Sequence, residues 1–155
     1  MKKIILILII MVTGLVAISQ IQVGNSGKSY EDKLNEEYCS TLFRSTPGTI
    51  LDIESANVSA YFNILDWLNG RVAGLQVFVT RFGVRIPVMR GAVSNIYIDE
   101  IPVDPGFLNM LSVNDIGMIK IIKGPFVGAF GNGNGGTIAI YTLKGEDDEE
   151  QGDSK

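Results

Sequence analysis

Apolar side chains at Tyr61, Ile64, Leu65, Leu68 and Val72 recur at the spacing of one helix face, with Asp66 and Asn69 on the polar side. This pattern predicts an amphipathic helix from about residue 59, with Gly74 placed to end it in a left-handed conformation. Leu75-Gln76-Val77-Phe78-Val79 then alternates with period two, and after a break at Phe82-Gly83 a second apolar run covers residues 84–89. Pro87 within that run argues for an edge strand. Ile96-Tyr97-Ile98 and Ile101-Pro102-Val103 flank Asp99-Glu100, the spacing of a two-residue hairpin. Pro105-Gly106 opens a turn before residues 107–111, which are enough for only a brief helix, and residues 112–115 are rich in turn and capping types. Residues 119–123 and 137–143 read as strands, the first stopped by Gly124-Pro125. Upstream, Leu34, Tyr38 and Leu42 at i, i+4 and i+8 predict a helix over residues 31–43. Strands outnumber helices and interleave with them. The expected fold class is therefore α+β, a small mixed β-sheet of four to five strands with two flanking helices.

The two ends of the chain have a different character. Lys2-Lys3, the apolar residues 4–12, and the small Ala17 and Ser19 read as a signal peptide over residues 1–19, cleaved before Gln20, so the protein is expected to be exported. A retained membrane anchor is the rival reading, although the apolar stretch is shorter than the roughly 20 residues a spanning helix needs. Residues 20–58 form a polar lead-in broken by Gly24, Gly27 and Pro47-Gly48, residues 59–145 hold the motif-rich domain, and residues 146–155 are an acidic tail expected to be disordered.

Composition narrows the chemistry. A length of 155 residues with 46% hydrophobic and 19% charged residues belongs to a globular class with one modest core. Thirteen basic against 17 acidic residues, net −4, give no electrostatic draw toward nucleic acid or anionic lipid. The chain has no His and one Cys, which removes Ser-His-Asp and Cys-His catalysis, His-ligated zinc and any intrachain disulfide. Cys39, inside the first helical pattern, reads as a buried small hydrophobe.

Three motifs remain. Gly131-Asn132-Gly133-Asn134-Gly135-Gly136 satisfies G-x-G-x-x-G, but a β-branched strand follows it where a pyrophosphate cradle opens a helix, so it reads as a turn and no cofactor is expected. Asp99, Glu100 and Asp104 form the one close acidic group of the central segment, a candidate for acid-base or cation chemistry that turn placement makes more simply solvated. No metal or catalytic residue is assigned. Arg71, Arg81, Arg85 and Arg90 crowd into twenty residues and are expected to pair with acids such as Asp66 and Asp99.

Read in order, Ile64-Leu-Asp-Trp-Leu-Asn-Gly-Arg-Val-Ala-Gly-Leu-Gln-Val77, Met89-Arg-Gly91, Ile96-Tyr-Ile-Asp-Glu-Ile-Pro-Val103, Asn114-Asp-Ile-Gly-Met-Ile-Lys-Ile-Ile-Lys-Gly-Pro125 and Gly135-Gly-Thr-Ile-Ala-Ile140 resemble the plug domain of TonB-dependent outer-membrane receptors, nearest to the Bacteroidetes-type branch. The resemblance covers about 85 residues. It implies a non-catalytic module of TonB-dependent uptake at the periplasmic face of the outer membrane, with an outer-membrane β-barrel or a TonB-type protein as partner. It also makes Gly74, Arg90, Gly91, Asp99, Gly124, Pro125, Gly135 and Gly136 fold positions, with Arg90 as an internal clamp. The chain departs from the family in three respects. It ends at Lys155 with no barrel after the plug, which reads as a stand-alone domain; only Ile21-Gln22-Val23 stands where a TonB box would; and Asp99-Glu100 replaces the preferred Asp-Gly. A receptor remnant without transport activity and a carboxylate hydrolase are the alternatives. On this reading Glu100→Gly should suit the turn, and Gly124→Val should be the more damaging change.

Overall fold

The computed structural model describes residues 28–124 and 134–144 of the chain. The signal peptide, Ile21-Gln22-Val23, Pro125, Gly131 to Gly133 and the acidic tail lie outside the described residues.

Helix α1, Tyr30–Tyr38, starts where the Ser29 N–H donates to the Asp32 carboxylate at 3.1 Å, a reciprocal cap across the first turn. It stops five residues short of the predicted end, because Cys39 is extended and the next N–H groups are claimed by Glu100. Strand β1, Thr49–Asp52, follows and was not legible in the pattern. Helix α2 is one short turn and a half, Ile64–Leu68, capped by the Asn63 side chain accepting from the Leu65 N–H at 2.9 Å. It ends at Asn69, and Gly70, not Gly74, takes the left-handed φ of 82° just beyond it. Gly74 does have positive φ, 84°, but within a turn in which the Leu75 N–H donates to the Val72 carbonyl, so the expected single helix to Val72 is corrected to a helix followed by a turn.

Strands β2 (Leu75–Val79), β3 (Arg85–Met89) and β4 (Ala92–Val93) form an antiparallel three-stranded sheet in the order β2-β3-β4. The predicted edge strand is thus the middle one. Pro87 is tolerated because the β4 register covers only Val88↔Val93 and Met89↔Ala92, so its missing N–H falls where that pairing runs out. Strands β5 (Asn95–Ile98) and β6 (Ile101–Val103) make the expected hairpin. Two 3-10 turns, Pro105–Asn109 and Val113–Asp115, lead to β7 (Ile116–Ile122), and β8 (Thr137–Thr142) closes the fold.

The larger sheet has the order β1-β7-β8-β5-β6, with β5 and β8 parallel and the other pairs antiparallel. This is the mixed sheet of an α+β fold, with the smaller sheet added to it. All of β7, and β8 from Thr137 to Tyr141, is buried, so these strands read as nearly continuous apolar runs. Alternation sorts them onto two faces. Ile119, Ile121, Ile138 and Ile140 meet Leu65, Trp67 and Leu68 of α2 on one face. Met118, Ile122, Ala139 and Tyr141 meet Leu34, Cys39 and Phe43 on the other, where Phe43 packs edge-on to Tyr97 with ring centroids 5.0 Å apart.

Candidate functional site: the β5–β6 turn and the segment it holds

Asp99 and Glu100 both have positive φ, 48° and 67°, which is the type I′ geometry expected of a two-residue hairpin. A turn of this kind tolerates Asp in the left-handed region better than Glu. Glu100 is kept there by what its carboxylate reaches. Oε1 accepts the Ser40 N–H at 3.0 Å, while Oε2 accepts the Ser40 hydroxyl at 2.7 Å and the N–H groups of Leu42 and Thr41 at 3.1 and 3.3 Å. Three successive amides converge on one anion, so the 40–42 segment forms a concave nest filled by the chain's own carboxylate. Burial pushes the Glu100 carboxyl up, but the Ser40 hydroxyl and the three amides outweigh it and hold the group below the usual carboxylate range.

Asp99 turns the other way. Its carboxylate accepts the Thr142 N–H and hydroxyl, both at 2.9 Å, at the end of β8. Asp104 is exposed and precedes the first 3-10 turn. The three acids that sequence placed together therefore diverge, two of them onto structural amides. Among the described residues no group of three His, Cys, Asp or Glu side chains could hold a metal ion.

Beneath the nest lies a polar group that the sequence did not announce. Lys120 is buried in β7, and its ammonium donates to Asn35 Oδ1 and the Phe43 carbonyl, both at 2.6 Å. Burial holds its pKa down, with the negative charge of Glu100 opposing. A lysine at a position that alternates out of an apolar strand reads as solvent-facing; only the packing of α1 over that face buries it. Tyr141 donates to Glu100 Oε1 at 3.3 Å, and burial pushes both its hydroxyl and the Cys39 thiol up, which leaves the cysteine an inert core residue.

The arginines divide. Arg85 pairs with Asp66 at 2.6 Å as expected. Arg71 stacks over Trp67 and Tyr61, 4.8 and 5.6 Å from the ring centroids, and donates to the Trp67 carbonyl. Arg81 lies over Phe82. Arg90 is exposed and, with Gly91, forms the β3–β4 turn at φ 55° and 77°. The fold glycines also differ from one another. A Cβ on Gly135 would lie 2.2 Å from the Val93 carbonyl oxygen, and one on Gly136, at φ 68°, 2.5 Å from the Ile122 carbonyl oxygen. Gly124 has open space around it among the described residues and no left-handed φ.

A shallow cleft of about 370 Å³ opens beside the second 3-10 turn, lined by Tyr61, Phe62, Met110 and Leu111 among others. Phe62 and Met110 at its rim are 94% and 81% exposed.

One mixed and one antiparallel sheet, a closing β8 led in by close-approach glycines, and a hairpin whose acids serve the backbone define a plug-domain-like α+β fold. Solved import receptors share it. The chain is similar to the RagAB peptide importer in its closed-closed state, at 21% identity over 68% of this chain and 13% of that one, TM-score 0.54. It is similar to the siderophore receptor PirA of Acinetobacter baumannii, at 21% identity over 66% and 18%, TM-score 0.52. It is also similar to a double mutant of the ferric enterobactin receptor PfeA of Pseudomonas aeruginosa, at 22% identity over 71% and 18%, TM-score 0.51. The chain corresponds to between 13% and 18% of the length of these receptors. No family model matches it, and no curated sequence does.

Proposed function

We propose that the chain supplies a plug-like module of TonB-dependent uptake, acting at the periplasmic side of the outer membrane through contact with an outer-membrane β-barrel or a TonB-type protein. The observation that carries this reading is the shared fold with a peptide importer, a siderophore receptor and an enterobactin receptor. Two features of the site support a binding role over catalysis. Asp99 and Glu100 spend their carboxylates on backbone N–H groups of two different segments, so these two acids do not face a common reacting atom. Large apolar side chains also stand out from the surface at Phe62, Phe82 and Met110, as in surfaces made to meet a partner.

The test is a pull-down of the tagged chain from detergent-solubilised envelope of its native cell, followed by reciprocal capture with the tagged candidate partner. Reciprocal recovery with an outer-membrane barrel or a TonB-type protein is the expected result. The reading fails if neither direction recovers such a protein and the purified chain hydrolyses a substrate in a manner abolished by Asp99→Asn or Asp104→Asn.

A further inference from the structure

Every β-ladder of the fold lies within residues 49–142. Residues 28–48 take no part in them. Among the described residues, the backbone–backbone hydrogen bonds of this segment are internal to it: those of α1, the Lys33 N–H to the Ser29 carbonyl, the Cys39 N–H to Asn35 and the Thr46 N–H to Phe43. Its polar ties to the sheet run through side chains instead. The Tyr30 hydroxyl donates to Asp52 at 2.6 Å, the Lys120 ammonium donates to Asn35 Oδ1 and the Phe43 carbonyl, and the Lys144 ammonium donates to the Glu37 carbonyl. The densest tie is Glu100, which gathers the Ser40 hydroxyl and the amides of Ser40, Thr41 and Leu42.

The core divides at the same place. Its larger cluster, running from Ile53 to Ile140, is built without residues 28–48. Of that segment only Leu34, Cys39 and Phe43 are buried, and they lie against Tyr97, Met118, Ile122, Ala139 and Tyr141 on the second face of the large sheet. A largely antiparallel sheet persists with one face covered and the other in water. The ladders and the larger core therefore do not depend on the segment being in place.

We propose that residues 29–46 form a strap that leaves the sheet as one unit while the ladders and the larger core stay formed, and that the Glu100 side chain is its latch. Position 100 remains in the β5–β6 turn in both forms, so its left-handed strain cancels and opening loses only the contacts with residues 40–42. Those contacts are hydrogen bonds to an ionised acceptor, the strong kind. The two buried charges act in opposite senses. Opening returns Lys120 to water, which its burial favours, whereas the closed form holds Glu100 below the usual carboxylate range. The carboxylate, not the ammonium, keeps the strap shut.

Cys39 supplies the readout, since it is the one cysteine of the chain, is 2% exposed and lies inside the strap. Its labelling by a maleimide is measured on the native protein beside hydrogen exchange of the α1, β7 and β8 amides. In the unaltered chain, labelling should rise only weakly in low urea and report the same opening as the α1 amides. The β7 and β8 amides should be better protected and lose that protection steeply. Ile140→Val, on the α2 face, weakens the closed and open forms alike, so it should speed β8 exchange roughly 2–10-fold and leave Cys39 labelling unchanged. Glu100→Ala should speed Cys39 labelling about tenfold or more. Retained β7 protection shows that each variant folds, and the urea series decides the matter without any variant. Four results each overturn the proposal: labelling that tracks β7 and β8 through urea, labelling that follows Ile140→Val as β8 does, α1 amides that open separately from the thiol, or labelling indifferent to Glu100→Ala.

Discussion

The Glu100 carboxylate and the Ser40 backbone meet across 60 positions of chain, with Oε1 accepting the Ser40 N–H at 3.0 Å and Oε2 its hydroxyl at 2.7 Å. The contact joins the hairpin turn to the segment that follows α1. It also reverses the sign of an expectation.

Glu100→Gly relieves a left-handed side-chain residue, a gain of about 1 kcal/mol, but leaves three amides without their charged acceptor. Hydrogen bonds to charged groups are worth about 1.5–3 kcal/mol, so the variant should be less stable than the parent by about 1–2 kcal/mol, and Glu100→Ala by more. Urea unfolding at neutral pH checks this. A midpoint unchanged or raised in Glu100→Gly would show that the nest contributes nothing.

The same group shapes the acid limb of stability. Its folded pKa lies below the unfolded value, so its contribution is present above about pH 4.3 and is lost as pH falls through the folded value. Asp52 acts in the same direction: burial raises its carboxyl, but the hydrogen bonds of Ser55 and Tyr30 prevail and lower it. Unfolding midpoints should fall between about pH 5 and pH 3, and less steeply in Glu100→Gln than in the parent. Parallel curves for the two proteins would remove Glu100 from the account.

Lys120 depends on its acceptors. Asn35→Ala strips Oδ1 from a buried ammonium and also loses the bond from Asn35 Nδ2 to the Arg44 carbonyl, so a loss of about 2–3 kcal/mol is expected. Lys120→Met should cost less, because it removes the buried charge instead of stranding it. Chemical denaturation of both variants gives the comparison. The opposite ranking would mean that the ammonium retains water as a partner.

Gly135→Ala should destabilise by about 3 kcal/mol or more, since its Cβ would meet the Val93 and Ala92 carbonyl oxygens at 2.2 and 2.5 Å, and backbone cannot yield as a side-chain tip can. Gly124→Ala should change stability by about 0.5 kcal/mol or less, because nothing described stands within 4 Å of the added methyl. Melting temperatures of the pair decide it, and equal values would mean that the β8 entry shifts freely.

The elements with strong local periodicity were legible in the chain. The alternation of 75–79, the hairpin about Asp99-Glu100 and the last two strands are present within a residue or a few of their expected ends. The errors fall where a distant partner overrode a local preference. The helical spacing from Tyr61 to Val72 placed Ile64, Leu65, Leu68 and Val72 in the core as expected, yet the helix itself is five residues, because Asn69 is extended and Gly70 beyond it has positive φ. β1 was missed because four residues of mixed character become a strand only against Met118 to Ile121.

What the sequence by itself determined is the kind of fold and the apolar faces that build it, since periodicity and turn chemistry act between residues a few positions apart. Only the tertiary structure decided what the charged side chains do. Asp99, Glu100 and Asp104 are neighbours in the chain, but carboxylates are satisfied by whichever amides approach them, and here those belong to Thr142 and to Ser40 through Leu42. Lys120 is likewise indistinguishable in sequence from a solvent-facing strand lysine until α1 covers it. Hydrogen bonds and burial join residues many tens of positions apart, and one-dimensional spacing carries no record of such pairings.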